Sequence, residues 1–494
     1  MTEKSLQIGP AMTFDQLSTL VAGPNGPQIH TDSRKIKPGD VFVAINGTVH
    51  DGHDFIDQAL EKGAEYIICG KNHTLSPIEA TNEKIITVED TQKAAAQLAQ
   101  IRNGYPARKL VNLAVTGTNG KTTVGFLVRS CFQQASEKCG LIGTITYDTG
   151  STSDEATLTT PDSLAIADMQ AKMVQAQAKY MMIEASSHAL SQQRLWGIDF
   201  KAAAFTNLTG DHLDYHLTKE QYLAAKTILF QQLSNDATAV LNRESPEATE
   251  IAAKTNANII WYAIDNPADI RAHIESMNTS GTAFDLEYQG QRQKVKTPLL
   301  GKHNVSNHLA AAGLCLAAGL DLKTVAAGLS ALASIPGRLE KVDSDAPFAV
   351  LIDYAHTDDA LQNVLTTLRL LCQNSLTVVF GCGGDRDKTK RPRMAAAAQK
   401  LADSVIVTSD NPRTEQPQTI IDEIMTGFDN THDTKINVVP DRKKAIEMAV
   451  TNAKKDDIVL IAGKGHETYQ ILGTKKIHFC DKETALECLK KRRC

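Results

Sequence analysis

A chain of 494 residues exceeds what one ordinary hydrophobic core holds, and length alone predicts about three domains. With 42% hydrophobic and 22% charged residues it groups with globular proteins, which excludes a disordered or membrane-spanning chain. A formal net charge of −5 excludes a global basic field that would recruit nucleic acid. The first residues lack a signal-like apolar core and no later run is long enough to span a bilayer, so a cytoplasmic location is expected. The nine cysteines are dispersed without a C-x-x-C pair, as suits reduced thiols.

Residues 1–107 read as a small α/β unit, with strand-like Val41–Ile45, helical His53–Lys62 and strand-like Tyr66–Cys69. Ahead of them Thr31-Asp-Ser33-Arg34 is a polar turn whose simplest reading is a surface loop with an Asx-type hydrogen bond. Tyr105-Pro106 and Arg108-Lys109 read as a linker into a second unit, 108–338.

That unit opens on Leu110–Val115, a nearly continuous apolar run expected of a strand buried on both faces of a parallel sheet. It leads into Thr116-Gly117-Thr118-Asn119-Gly120-Lys121-Thr122-Thr123, which reads as a phosphate loop. Gly117 and Gly120 let successive N–H groups face inward. Lys121 supplies a cation for the β- and γ-phosphates and Thr122 a hydroxyl for Mg²⁺, while the following helix adds the positive end of its dipole. Val115 stands where the usual pattern has its first glycine.

Further strands are expected at Tyr180–Glu184, Ala202–Phe205, Ala237–Leu241 and Ile259–Tyr262, alternating with helices. This predicts a mostly parallel sheet with ligands at the carboxyl ends of its strands. Two of those ends carry Glu184 and His212, candidate Mg²⁺ ligands beside a triphosphate, each alternatively a helix cap or a satisfied polar group. On helical Lys219–Leu233, Lys226 shares a face with Tyr222, Leu229 and Leu233. Either its ammonium snorkels to water, or it faces the metal as a carbamate formed with CO₂. His303, Asn304 and Asn307 either cap an alanine-rich helix or meet a base, and Arg338 in Pro336-Gly-Arg338 is placed to reach phosphate from across a domain boundary.

Residues 339–494 predict a second doubly wound sheet, with strands at Val350–Asp353, Leu376–Phe380, Val405–Thr408, Ile436–Val439 and Ile458–Ala462. Their ends carry Asp353-Tyr-Ala-His356, Gly383-Gly-Asp-Arg386-Asp, Ser409-Asp-Asn-Pro-Arg413 and Gly463-Lys-Gly-His-Glu467. Gly381-Cys-Gly-Gly384 is an incomplete dinucleotide fingerprint. Arg386 and Arg413 instead suit a carboxylate clamp and Glu467 an ammonium site, against the alternative of a surface ion-pair network.

As a set, these motifs resemble the Mur ligases, ATP-dependent amide-forming enzymes of peptidoglycan precursor synthesis, from Thr31 to Glu467. The match is closest to the branch that adds meso-diaminopimelate, whose specificity signature stands here as Asp410-Asn411-Pro412-Arg413. The resemblance implies an α/β protein of three domains: a UDP-substrate-binding domain at 1–107, a P-loop ATPase-like domain at 108–338 and a Rossmann-like amino-acid domain at 339–494. It implies ATP on Thr116 to Thr123, Asn304, Arg338, Asp353 and His356, and catalytic roles for Lys121, Glu184, His212 and Lys226. Mg²⁺ would then be held by Thr122, Glu184, His212 and Lys226 as its carbamate. UDP-N-acetylmuramoyl-L-alanyl-D-glutamate would lie on Ser33, Thr159, Thr160, Ser187 and Arg194. Diaminopimelate would lie on Arg386, Asp410 to Arg413, Gly463 and Glu467, in an enzyme working as a monomer through an acyl phosphate. The chain departs from the family pattern at Asp358, where proline is usual, and at Gln416 before Pro417. Two rival readings are a lysine-adding ligase, which Arg413 opposes, and a nucleotide-binding switch that forms no amide.

Overall fold

The computed structural model describes residues 12–47, 50–74, 82–209, 213–429 and 435–492. His212, a candidate metal ligand, lies outside the described residues.

The first unit is a four-stranded parallel sheet in chain order, formed by Ile29–His30, Val41–Val43, Tyr66–Gly70 and Ile85–Val88. Val41 and Val43 face the side covered by Leu17 and Leu98, while Phe42 faces Ile56 and Ala59, as the two-residue period of a strand requires. Buried Gln100 donates to Gln170 at 2.7 Å and so ties the helix Thr91–Arg102 to Ser163–Gln175 of the second unit.

The second sheet has eleven strands, and the phosphate-loop strand Val111–Thr116 lies inside it between Phe200–Phe205 and Tyr180–Glu184. All three run parallel, so Thr116, Phe205 and Glu184 end on one edge. The parallel core was expected; the margins differ. One edge is extended by Ile270–Asn278, which joins in parallel, and then by the antiparallel strands Gly281–Tyr288 and Gln291–Thr297, the other by the antiparallel strands Thr146–Asp148 and Ser153–Glu155. These strands bury one face or none, and Gln291–Thr297 buries only Val295 and Thr297. They carry no apolar run to announce them.

The third sheet has the order Glu340–Lys341, Ala349–Asp353, Ile458–Ala462, Leu376–Phe380, Ser404–Val407 and Ile436–Val438, parallel except for its short first strand. Helices cover both faces, with Leu361, Leu365 and Met394 on one and Ile446, Ala449 and Leu489 on the other. A hairpin at Tyr469–Leu472 and Lys475–His478 stands outside this sheet, and Arg413 bridges to Leu472.

Candidate functional site

At the end of Val111–Thr116 the chain turns through Gly117 at φ 146° and Gly120 at φ 91° into the helix Lys121–Gln134. A Cβ on Gly117 would collide with Thr206 Oγ1, and one on Gly120 with Asn307 Oδ1. Glycine is therefore required by both conformation and space. Asn207 holds the loop from the next strand end: its Oδ1 accepts from Asn119 N at 3.0 Å, and its carbonyl accepts from Thr118 N at 2.9 Å.

Three expected metal donors fall around this loop. Thr122 Oγ1 donates to Glu184 Oε2 at 3.0 Å, and Glu184 is 1% exposed. Thr144, which sequence reasoning missed, donates to the same carboxylate through its N–H at 2.9 Å and its hydroxyl at 2.9 Å. The oxygen pair of Thr122 and Glu184 fits a hard cation such as Mg²⁺. Lys226 is 1% exposed and donates to Gly117 O at 2.9 Å, with Tyr222 beneath it at 4.2 Å. It does not snorkel to water, and as an ammonium it is no ligand. Among the described residues no cluster of three or more His, Cys, Asp or Glu side chains could hold a metal unaided. A cation here would take oxygens from bound phosphate as well.

The neighbouring strand ends form a second polar group. Thr160 Oγ1 donates to Glu184 O at 2.6 Å, Arg194 Nη1 donates to Thr160 O at 2.6 Å, and Thr159 Oγ1 lies 3.1 Å from Thr144 Oγ1. Burial depresses the Arg194 pKa. Ser187 is 2% exposed and lies 2.9 Å from His216 Nε2. Thr160 thus adjoins Glu184, with Arg194 behind Thr160 and Thr159 behind Thr144. Ser33 stands apart, its hydroxyl donated to Gln58 within the first unit at 2.6 Å.

Across the boundary, Arg338 Nη2 donates to Thr122 Oγ1 at 3.3 Å, its guanidinium over Tyr354 at 4.9 Å. Its Nε is buried without a hydrogen-bond partner, an orphan donor that suits an anion. A second crossing was not foreseen: Asn119 Nδ2 donates to Asp359 Oδ2 at 3.2 Å. Asp353 accepts from Leu339 N at 2.7 Å and Ala355 N at 2.8 Å, while burial raises its pKa against the pull of Arg338. It therefore ties the chain just after Arg338 to the end of its own strand. His356 is exposed and lies against Tyr354. Asn304 neither caps its helix, Lys302–Ala317, whose cap position is Gly301, nor faces outward; it donates to Leu300 O at 2.8 Å and accepts from Asn307 at 3.1 Å.

Both departures from the family pattern fall at helix starts. Asp358 is the first residue of Asp358–Leu371, after the cap Thr357, and pairs with Arg393 at 2.8 Å. Proline and aspartate both suit that position, one by its fixed φ and missing N–H, the other by the dipole. Gln416 precedes Pro417–Met425 and makes no side-chain cap.

At the third-sheet ends Asn411 and Glu467 meet. Asn411 Nδ2 donates to Glu467 Oε2 at 2.8 Å, and Asp410 Oδ1 accepts from Asn411 N at 2.7 Å. A Cβ on Gly463, at φ 113°, would press on Asp410 Oδ2. Arg413 takes φ 51° and donates to Gly384 O at 2.7 Å. Arg386 is exposed and lines a cavity of about 430 Å³ with Asp385, Asp387, Lys388 and Glu415. Pro412 lies under this turn, its carbonyl against Gly384. Beneath it Arg391, fully buried, donates to Glu415 at 2.9 and 3.0 Å, to Glu423 at 2.6 Å and to Gly383 O at 3.2 Å. This network was not legible in the sequence, because its carboxylates lie 24 and 32 residues away.

Three family models match the chain: the Mur ligase family catalytic domain over residues 28–102, the Mur ligase middle domain over 115–315, and the Mur ligase glutamate ligase domain over 337–465. A UDP-N-acetylmuramoyl-L-alanyl-D-glutamate--2,6-diaminopimelate ligase of Geobacillus thermodenitrificans is 42% identical, covering 95% of this chain and 96% of its own. The protein of that name from Gloeobacter violaceus is 44% identical over 94% of each chain. A solved structure of a UDP-N-acetylmuramoyl-L-alanyl-D-glutamate--2,6-diaminopimelate ligase superimposes with TM-score 0.67 at 33% identity, covering 95% of this chain and 96% of the other. With family models on each of its sheets and such relatives along nearly its whole length, the chain belongs to the Mur ligase family.

Proposed function

We propose that the protein is the ATP-dependent ligase that adds meso-diaminopimelate to UDP-N-acetylmuramoyl-L-alanyl-D-glutamate in peptidoglycan precursor synthesis. The observation that carries this reading is the convergence of Arg413, Asn411 and Glu467 on a sheet whose hinge residue Arg338 touches the phosphate loop at Thr122. A second carboxylate on the acceptor gives Arg413 a partner that lysine lacks. The three functional units are 1–107, 108–338 and 339–494, in a cytoplasmic enzyme acting as a monomer.

The D-glutamate γ-carboxylate oxygen attacks the γ-phosphorus of ATP, the bond to the β,γ-bridging oxygen breaks, and ADP leaves. Loop N–H groups from Gly117 to Thr123 with Lys121 and Arg338 stabilise the spread negative charge, so the chain contributes positioning and electrostatics. Thr122 and Glu184, with His212 and carbamylated Lys226, are the residues to hold Mg²⁺, which supplies further charge neutralisation on phosphate oxygens. The acceptor amine then attacks the acyl carbon, inorganic phosphate departs, and the nitrogen loses a proton to leave the amide. Thr159, Thr160, Ser187 and Arg194 hold the muramoyl dipeptide with Ser33, Asn304 and His356 complete the nucleotide contacts, and Arg386 with Asp410 and Gly463 completes the acceptor pocket.

The test is phosphate release by purified protein with ATP, Mg²⁺ and the UDP-linked dipeptide, comparing meso-diaminopimelate, L-lysine and no amino acid, with product mass recorded. Tripeptide formation with diaminopimelate is expected. Preference for lysine overturns the acceptor; no amide with any amino acid overturns the ligase and favours the switch.

A further inference from the structure

Lys464 is fully buried, yet it sits in the turn whose far end, Glu467, opens on the acceptor pocket. Its Nζ donates to Glu467 Oε2 at 2.9 Å and lies 3.4 Å from Asn411 Oδ1. Asn411 in turn donates to the same Oε2 at 2.8 Å, and its Oδ1 also accepts from Ile471 N at 2.9 Å. One buried ammonium thus ties together two side chains from different strand ends. Both bonds to Glu467 fall on Oε2, which leaves Oε1 for a ligand ammonium. The Tyr469 ring lies 5.4 Å from Nζ. A buried cation is stabilised only when paired and hydrogen-bonded, and here the carboxylate that pairs with it is the one the ligand needs.

We propose that Lys464 is a positioning residue of the acceptor pocket: it locks Glu467 and Asn411 into one rigid anchor and cancels the Glu467 charge. This rests on the ligase reading above.

The experiment compares wild type, Lys464→Met, Glu467→Gln and the double variant in steady-state tripeptide formation, with KM measured separately for meso-diaminopimelate, ATP and the UDP-linked dipeptide. Lys464→Met is expected to raise KM for diaminopimelate roughly 10- to 100-fold, the size of one lost charge-assisted hydrogen bond, and to leave KM for ATP within about twofold. In the Glu467→Gln background the same change is expected to cost far less, since Lys464 acts through Glu467. An unchanged diaminopimelate KM overturns the proposal, as does a loss shared by all three substrates and additive with Glu467→Gln. Should Lys464→Met not fold, Lys464→Gln, which keeps a donor on a shorter stem, is carried through the same cycle. A wild-type protein that forms no tripeptide overturns the ligase reading instead, so the two failures are distinct.

Discussion

Lys121 and Lys226 donate to the same acceptor, the carbonyl oxygen of Gly117, at 2.8 and 2.9 Å. They reach it from different helices, Lys121–Gln134 and Lys219–Gln231, so two like charges converge on one peptide group. Phosphate on Lys121 and a carbamate on Lys226, both proposed above, would each relieve that repulsion.

Lys226→Met is therefore expected to bind ADP within about threefold of wild type and to lose roughly 10²–10³ in kcat, the range for removing one transition-state charge contact. Wild-type protein equilibrated with ¹³C-bicarbonate should show a carbamate carbon resonance that the variant lacks. Wild-type turnover in the variant removes Lys226 from the mechanism, and absence of the resonance removes the carbamate.

Arg413 stands at φ 51° with its guanidinium on Gly384 O, held in place before any ligand arrives. Arg413→Met should raise KM for diaminopimelate roughly 10- to 100-fold and leave KM for lysine nearly unchanged, because only the former has the second carboxylate. Equal losses for both amino acids would assign Arg413 to the loop rather than to recognition.

Asp358→Pro should fold and turn over like wild type. The first helical position tolerates proline, Thr357 before it already has the extended φ of −120° and ψ of 159°, and the ion pair with Arg393 is about half exposed. Such a pair contributes about 0–1 kcal/mol, so a fall in Tm beyond a few degrees would show a larger role for the carboxylate.

Arg391 depresses the Glu415 carboxyl from its ordinary 4.5 to about 2, chiefly through its side-chain hydrogen bonds. A carboxylate lowered by folding adds stability that is fully present above pH 4.5 and is lost as pH falls toward 2. The Tm difference between wild type and Glu415→Gln should therefore be largest above pH 4.5 and shrink below it. A difference independent of pH across that window would mean that the ionised form is not what Arg391 stabilises.

The legible parts of this protein are contiguous in sequence. The phosphate loop could be read from Leu110 to Thr123 because strand, turn and helix follow one another, and the third-sheet ends because each apolar run stops at a distinctive polar cluster. What escaped were pairings between distant residues: Thr144 with Glu184, Asp359 with Asn119, Arg391 with Glu415. The edge hairpin ending in Gln291–Thr297 escaped for another reason, since an exposed strand needs few apolar residues. Asn304 was open between helix cap and base contact, and its bond to Leu300 O rules out the cap.

One residue, Asp353, joins two parts of the site through its side chain and its backbone. The Asp353 side chain holds the N–H of Leu339 beside Arg338, and its backbone carbonyl accepts from Gly463 N at 3.1 Å, at the start of the turn that carries Lys464 and Glu467. The guanidinium that meets Thr122 and the turn proposed above to receive the amine are thus fastened to one residue. Were the third sheet to move against the second, the two would travel together, and the arrival of the nucleophile would be coupled to the readiness of the electrophile.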